Sequence, residues 1–277
     1  MSGFPSSEWG REIYCAMLKF IASDLDGTLL DGERRIPEEI FPLIREMTKR
    51  GILFCPASGR QYANLKKLFA PVANDVLFMA ENGALVKYWD KTLYLNPIPE
   101  ELIGDALDAI RSVPHVFPML CGSENAYIEN TEEPFHTCAR LSYDNCIKVG
   151  SLNGVIGREP ICKIAIYDAL GSHNNSIKYL PEKIPFLRTI LSGADWCDVA
   201  ALTANKGDAM RFIKARFSFK KEECAAFGDH MNDYEMLLEC GKAFVTDNAY
   251  PPLKKLIQNV VPANTKGGVL LKIKEIF

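Results

Sequence analysis

The order of apolar runs and polar turns in this sequence predicts an α/β fold, a doubly wound Rossmann-like parallel sheet with a second α+β unit inserted into it. Two observations favour this fold. Strand-like and helix-like segments alternate in the first third and the last third of the chain, which is typical of a parallel sheet with crossover helices. Between them, residues 85–199 change to hairpins and strand-rich segments. With 277 residues, the chain is long enough for two domains.

The first third of the chain predicts three strands joined by two helices. These are a strand at 18–22, a helix at 36–50, a strand at 52–55, a helix at 61–69 and a strand at 76–79. Pro42 lies early in the first helix and predicts either a kink or a later start. Polar or glycine-containing turns follow each strand, namely Ser23-Asp24-Leu25-Asp26-Gly27-Thr28, Pro56-Ala57-Ser58-Gly59-Arg60 and Glu81-Asn82-Gly83-Ala84. Chemistry in α/β proteins is placed at such strand ends.

The middle of the chain predicts a smaller α+β domain at 85–199. Its elements are a hairpin at 85–88 and 92–95, a helix at 100–111, a hairpin at 116–121 and 126–129, a short helix within 131–143, and strand-like runs at 161–167, 177–180, 186–191 and 196–200. Residues 144–159 are rich in Asn and Gly and predict a loop.

The parallel-sheet pattern then resumes, so residues 17–84 and 200–277 together predict one core domain. Asn205-Lys206-Gly207-Asp208 opens a helix that runs to about Phe217. A strand at 224–227 leads into the acidic loop Gly228-Asp229-His230-Met231-Asn232-Asp233, and a helix through 239, a strand at 243–245, a proline-started helix and a helical tail follow. The polar residues 1–16 predict a disordered extension before Met17.

Composition excludes several classes of partner. The net charge of -3 provides no electrostatic footprint for nucleic acid or an anionic membrane, so neither partner is expected. No run approaches the roughly 18 apolar residues of a membrane span. Nine cysteines without a Cys-x-x-Cys pair indicate reduced thiols and a cytoplasmic setting. The oligomeric state is left open.

Asp24 and Asp26 are the first candidate functional residues. Two carboxylates separated by one residue repel each other unless a proton or a cation lies between them. Mg²⁺, which prefers one or two carboxylates together with water and phosphate oxygens, resolves that repulsion. The alternative is an ordinary surface turn, since Asp-Gly is a common turn dipeptide.

Four stretches at strand ends or helix starts, in this order, carry a resemblance to a known family. They are Asp24-Leu25-Asp26-Gly27-Thr28, Ser58-Gly59-Arg60, Lys206 and Gly228-Asp229-His230-Met231-Asn232-Asp233. Together they resemble the haloacid dehalogenase superfamily over nearly the whole chain after Met17. Glu81-Asn82-Gly83-Ala84 before a large insertion, and Asn248-Ala249 after the acidic loop, are similar to the Cof-type subfamily, class IIB, whose inserted α/β domain is a cap.

The resemblance implies a role for each matched residue. Asp24 would be the nucleophile that forms an aspartyl-phosphate, and Asp26 would be the general acid and base. The residues implied to bind the phosphoryl group are Leu25, Ser58, Gly59, Lys206 and Asn232. The residues implied to bind Mg²⁺ are Asp24, Asp26, Asp229 and Asp233. Ser58 stands where many relatives carry threonine, and Thr265-Lys266-Gly267-Gly268 lacks the acidic residue that is frequent there, which leaves the local hydrogen bonding open.

Each of these residues could instead have a purely structural role. Ser58-Gly59 or the pair Asp229 and Asp233 would cap the helices that follow, and Lys206 alone would be a solvated lysine. His230 is interpreted as an exposed loop residue, and Arg60 as a residue that orders the loop or pairs with a carboxylate.

The function implied by the resemblance is a Mg²⁺-dependent phosphatase for small phosphorylated metabolites, such as sugar phosphates or phosphorylated cofactors. A phosphomutase or a phosphatase dedicated to one sugar phosphate is the alternative, and a phospho-accepting signalling module is a remote one. Polar or aromatic residues of the cap that are candidates for the substrate are His136, Arg140, Tyr143, Lys163 and Trp196. Periodicity does not select among them.

Overall fold

The computed structural model describes residues 17–277, so the extension predicted at 1–16 lies outside the described residues. The strands are β1 Phe20–Ser23, β2 Leu53–Pro56, β3 Phe78–Ala80, β4 Leu85–Tyr88, β5 Lys91–Leu95, β6 Val116–Gly122, β7 Ala126–Ile128, β8 Cys146–Lys148, β9 Ile161–Asp168, β10 Arg188–Leu191, β11 Trp196–Ala200, β12 Cys224–Gly228, β13 Lys242–Thr246 and β14 Val260–Val261. The α-helices are α1 Ile40–Lys49, α2 Tyr62–Leu68, α3 Glu100–Arg111, α4 Phe135–Ser142, α5 Ser176–Lys183, α6 Lys206–Phe217, α7 Tyr234–Leu238, α8 Pro251–Leu256 and α9 Gly268–Ile276. Within 17–277, none of these helices has the length and apolar character needed to cross a membrane.

Five parallel strands form the core sheet in the order β14-β13-β12-β1-β2. Side chains of the central strand β1 alternate between its two faces, as the period of a strand requires. Ile21 packs in one apolar cluster with Ile44 of α1, and Ala22 packs in another with Met210 of α6. Helices therefore cover both faces of the sheet, and the predicted doubly wound core is confirmed.

Residues 116–200 build a second sheet of six strands, in the order β10-β11-β9-β6-β7-β8. Its pairs are antiparallel except for β7 and β8, which are parallel. Leu120 and Ile164 face α3 and α5, while Met119 and Ala165 face Phe135 of α4. The predicted α+β insertion is therefore present, and its sheet has a core of its own.

The hairpin of β4 and β5 lies outside both of these sheets and pairs with β3. Two isolated parallel bridges, Phe54 with Val76 and Ala57 with Met79, place β3 beside β2 of the core. The division of the chain into core and cap stays a prediction. The predicted cap begins at residue 85, but the pairing with β3 places the hairpin 85–95 with the core. We therefore propose a boundary near residue 96.

Three predicted elements differ in detail. The run 177–180, predicted as a strand, lies in helix α5, because the Asp168 carboxylate accepts a hydrogen bond from the Ser176 backbone N–H at 2.9 Å and so satisfies a free donor of the first turn. The predicted loop at 144–159 contains β8, which pairs with β7. Helix α1 begins at Ile40, so Pro42 lies in its first turn, where proline is tolerated.

Candidate active site

The first loop of the site follows β1 and begins with Asp24, which is 6% exposed. The chain then turns through Gly27, which has a φ of +80°. A Cβ atom at this position would lie 2.2 Å from Oδ2 of Asp229. Position 27 therefore requires glycine for two reasons, namely the left-handed backbone and the close approach of the Asp229 carboxylate.

We expect Gly27→Ala to lower both stability and activity. Alanine in the left-handed region costs about 1–2 kcal/mol, and its methyl group would also displace the Asp229 carboxylate. Gly51→Ala is the matched control, because Gly51 has a φ of +74° but open space where a Cβ would be. Urea unfolding should show a loss for both variants, and catalytic assays a loss for Gly27→Ala alone. Equal activity in the two variants would contradict the conclusion that the site needs glycine at position 27 for the close approach of the Asp229 carboxylate.

Lys206 begins helix α6 and is fully buried. Its Nζ donates to Oδ1 of Asp24 at 2.6 Å and to Oδ1 of Asp233 at 2.6 Å. The start of the helix is held by Asn205, whose side chain accepts from the backbone N–H of Asp208 at 2.8 Å. Lys206 is thus a buried cation between two carboxylates, and the alternative of a solvated lysine is wrong.

Three carboxylates converge beside this lysine. Asp24, Asp229 and Asp233 each offer an oxygen, and these oxygens lie within 4.8 Å of one another. Oδ2 of Asp233 accepts from the backbone N–H groups of Asp229 at 2.9 Å and His230 at 3.2 Å, which fixes the acidic loop. Thr28 donates its hydroxyl to Oδ1 of Asp229 at 3.3 Å. An oxygen-rich cluster of this kind suits a hard divalent cation.

The charge of the cluster supports the same conclusion. Burial, with the neighbouring Asp233 and Asp229 carboxylates, raises the pKa of Asp24 to about 8, although Lys206 opposes the shift. Burial and Asp233 raise the pKa of Asp229 to about 7. When ionised, three carboxylates against one ammonium leave two excess negative charges. A divalent cation would balance them and favour the ionised forms.

These raised pKa values predict how the stability of the metal-free protein depends on pH. Between about pH 4 and pH 8 the folded protein holds protons on Asp24 and Asp229 that the unfolded chain has already released. Their contribution to the free energy of unfolding is therefore present at low pH and is lost as the pH rises through about 7 to 8. The urea midpoint of unfolding, measured in EDTA, should therefore fall as the pH is raised from 5 to 8. Added Mg²⁺ should flatten the slope, and a flat slope in EDTA would contradict the shifts.

Asp26 does not join the acidic cluster through its side chain. Arg60 holds the Asp26 carboxylate with two hydrogen bonds, Nε to Oδ2 at 2.9 Å and Nη2 to Oδ1 at 2.7 Å. The Asp26 side chain is 45% exposed at the cavity. The prediction that Arg60 pairs with a carboxylate is confirmed, and the geometry identifies Asp26 as the partner.

Ser58 and Gly59 follow β2 at the same edge of the sheet, and Ser58 is buried. The Ser58 Oγ accepts from the backbone N–H of Arg60 at 3.2 Å, so its own hydrogen remains available to donate. A Cβ at Gly59 would lie 3.0 Å from the side-chain amide of Asn82. Asn82 in turn accepts from Nδ2 of Asn232 at 3.3 Å and so joins two site loops, a link that sequence reasoning missed.

A cavity of about 1010 Å³ opens between these loops and the inserted domain. All the acidic and polar side chains predicted for the site line it except Lys206 and Asp233, which are fully buried and form an ion pair with each other. Among the five cap candidates, Tyr143, Lys163 and Trp196 line the cavity, and His136 and Arg140 are not part of its lining. His230 also lines it, with its ring centroid 5.0 Å from that of Tyr250.

Known proteins share both sequence and fold with this chain. Residues 21–273 match the family model of the haloacid dehalogenase-like hydrolases. The Escherichia coli 5-amino-6-(5-phospho-D-ribitylamino)uracil phosphatase YbjI is 24% identical over 274 residues, which cover 94% of this chain and 96% of that protein. The HMP-PP phosphatase of Klebsiella pneumoniae is 26% identical over 246 residues, covering 86% of this chain and 87% of that protein.

A solved structure of the HAD subclass IIB sugar phosphatase BT4131 shares the fold, with a TM-score of 0.76 and 21% identity. The alignment covers 94% of this chain and 100% of that chain. The chain therefore shares the fold of that protein, and the parallel-sheet core with an inserted α+β unit predicted from the sequence is confirmed.

Proposed function

Because this chain belongs to the haloacid dehalogenase-like hydrolases, we propose that it is a metal-dependent phosphatase that uses Asp24 as its nucleophile. One observation carries this proposal. Asp24 lies at the carboxyl end of β1, beside the buried ammonium of Lys206 and two further carboxylates, and it lines a cavity. Such an arrangement would bind both a cation and a phosphate ester next to the Asp24 carboxylate.

The proposed reaction has two steps. An oxygen of Asp24 forms a bond to phosphorus while the ester P–O bond breaks, and Asp26 gives its proton to the departing alkoxide. Water then attacks the phosphorus of the aspartyl-phosphate, Asp26 takes a proton from that water, and inorganic phosphate leaves with Asp24 restored. The exposed position of Asp26 at the cavity supports its role, since it lets the carboxyl group reach a leaving group.

Five residues would bind the oxygens of the transferring phosphoryl group. The proposed donors are the backbone N–H groups of Leu25 and Gly59, the hydroxyl of Ser58, the ammonium of Lys206 and the amide of Asn232. Their charge and fixed position favour the transition state over the substrate. The loss of one such donor typically lowers the rate by about 10²–10³-fold.

Mg²⁺ is the proposed cofactor, held by the carboxylates of Asp24 and Asp229, the Asp26 carbonyl oxygen, and Asp233 directly or through water. When bound, it neutralises the repulsion between an anionic nucleophile and an anionic ester. The excess negative charge of the cluster supports a divalent cation, and the all-oxygen donor set supports Mg²⁺.

The proposed substrates are small phosphorylated metabolites, either sugar phosphates or phosphorylated cofactors. The two relatives described above are phosphatases of a phosphorylated ribitylamino-uracil and of HMP-PP. The cavity of about 1010 Å³ is at the upper end of the range that encloses small molecules.

A panel of sugar phosphates, nucleotides and phosphorylated cofactors, assayed for released inorganic phosphate, tests this proposal. We expect hydrolysis with Mg²⁺ and its loss in EDTA, with recovery when Mg²⁺ is restored. Product analysis in the same assay distinguishes hydrolysis from transfer of the phosphoryl group within a sugar. Absence of hydrolysis across the panel with Mg²⁺, or full activity in EDTA, would contradict the proposal.

A further inference from the structure

Lys163 is a buried lysine of the inserted domain that contacts the backbone of the core. It lies on β9 and is 3% exposed. Its Nζ donates to the backbone carbonyl of Gly59 at 2.9 Å and to Oδ2 of Asp198 on β11 at 3.0 Å. Oε2 of Glu81 lies 3.3 Å from the same nitrogen. A cation from one domain therefore holds a peptide group of the other.

Both peptide groups that flank Gly59 are held by hydrogen bonds. The Ser58 carbonyl accepts from the backbone N–H of Asn82 at 3.0 Å, and the Gly59 carbonyl accepts from Lys163. Because each peptide is a rigid plane, these contacts orient the N–H of Gly59 and the N–H of Arg60 as well. The latter N–H donates to the Ser58 hydroxyl. Glycine has the greatest backbone freedom, so both constraints are needed to fix it.

Asp198 extends the same network toward the acidic loop. Its Oδ2 accepts from Nδ2 of Asn82 at 3.2 Å, and Oδ1 of Asn82 accepts from Asn232. Lys163 and Asp198 of the inserted domain thus contact, directly or through Asn82, three of the groups assigned to the phosphoryl oxygens.

Burial of the charged side chains in this cluster costs free energy, because each of them must leave water. Burial alone would lower the pKa of Lys163, but Asp198, Tyr143 and Glu81 raise it well above its ordinary value, so the ammonium is charged at neutral pH. Burial raises the pKa of Glu81 to about 7. Buried ion pairs contribute little net stability compared with apolar side chains of similar volume. Their position against the phosphate-binding backbone indicates a functional use.

We propose that Lys163 is a positioning residue for the phosphoryl-transfer step, which fixes Gly59 and Ser58 when the inserted domain is seated on the core. The inference rests on the proposed function, because it takes Gly59 and Ser58 as phosphate donors. Seating of the cap then completes the donor set, so that binding and orientation of the phosphoryl group depend on contact between the two domains.

Lys163→Met tests the inference, and Lys87→Met is the matched control. Lys87 is also a buried strand lysine that pairs across the domains, with Glu124, but it is not part of the cavity lining. We expect Lys163→Met to lower kcat/KM by about 10- to 100-fold, chiefly through kcat, and to weaken inhibition by inorganic phosphate. The factor should be equal for acetyl phosphate, p-nitrophenyl phosphate and the best substrate of the panel, whereas Lys87→Met should remain near the wild-type value.

Other outcomes would contradict either the inference or the function on which it rests. A loss confined to the larger substrates would make Lys163 a group that binds the leaving alcohol, and wild-type kcat/KM in Lys163→Met would exclude any role. If Lys163→Met fails to fold by circular dichroism, Lys163→Met/Asp198→Asn removes one positive and one negative charge together, and full activity in that variant would refute the proposal. An inactive wild-type protein would instead reject the proposed function.

Discussion

Asp24→Asn is expected to lower Mg²⁺-dependent hydrolysis of p-nitrophenyl phosphate by at least about 10⁴-fold, because an amide cannot form the aspartyl-phosphate. Asparagine keeps the shape of the side chain and an oxygen that accepts from Lys206, so the fold should remain intact. The variant should also bind Mg²⁺ more weakly, since it removes one carboxylate of the acidic cluster. Steady-state kinetics and thermal unfolding measure these effects separately.

Asp90→Asn is the control for Asp24→Asn, because Asp90 makes an exposed ion pair with Lys66 away from the cavity. It should keep wild-type kinetics, since exposed ion pairs contribute about 0–1 kcal/mol and Asp90 does not line the site. Activity in Asp24→Asn that stays within tenfold of the wild type would remove Asp24 from the role of nucleophile.

Asp26→Asn is expected to lower turnover by about 10²–10⁴-fold and to separate the two steps of the reaction. p-Nitrophenolate leaves without protonation, so the first step should proceed and release about one equivalent rapidly. The second step lacks its base, and the aspartyl-phosphate should accumulate. With an alkyl phosphate both steps need Asp26, and no burst should appear.

Rapid quench and mass spectrometry of the phosphorylated protein test this prediction. The wild-type protein under the same conditions is the control, and it should show little phosphorylated enzyme at steady state. Wild-type turnover in Asp26→Asn would exclude its role as acid and base.

Sequence patterns predicted the core of the site because the physics of parallel sheets places strand ends together. Asp24 follows β1, Ser58 follows β2 and Asp229 follows β12, and these three strands are neighbours. Alternating strands and helices therefore imply that side chains far apart in sequence meet at one edge. Asp24 and Asp229, which follow the paired strands β1 and β12, meet in this way.

The contacts between the domains were beyond the reach of sequence patterns. Lys163 was one of five polar or aromatic candidates, and no periodicity predicts that its ammonium reaches the Gly59 carbonyl of the core. Asp198 lies within an apolar strand, where alternation predicts a buried position but no partner. Such contacts depend on how two separately packed sheets meet, which is a property of three-dimensional packing.

The central position of β1 has a consequence for how the chain is made. β1 pairs with β2 on one side and with β12 on the other, where Phe20 lies opposite Cys224. During synthesis, that second neighbour emerges roughly 200 residues after β1, which at about 5–20 residues per second is a delay of about 10–40 s. The inserted domain is complete before then. Until β12 has been synthesised, one edge of β1 therefore has no partner strand, and an unpaired strand edge can pair with another chain.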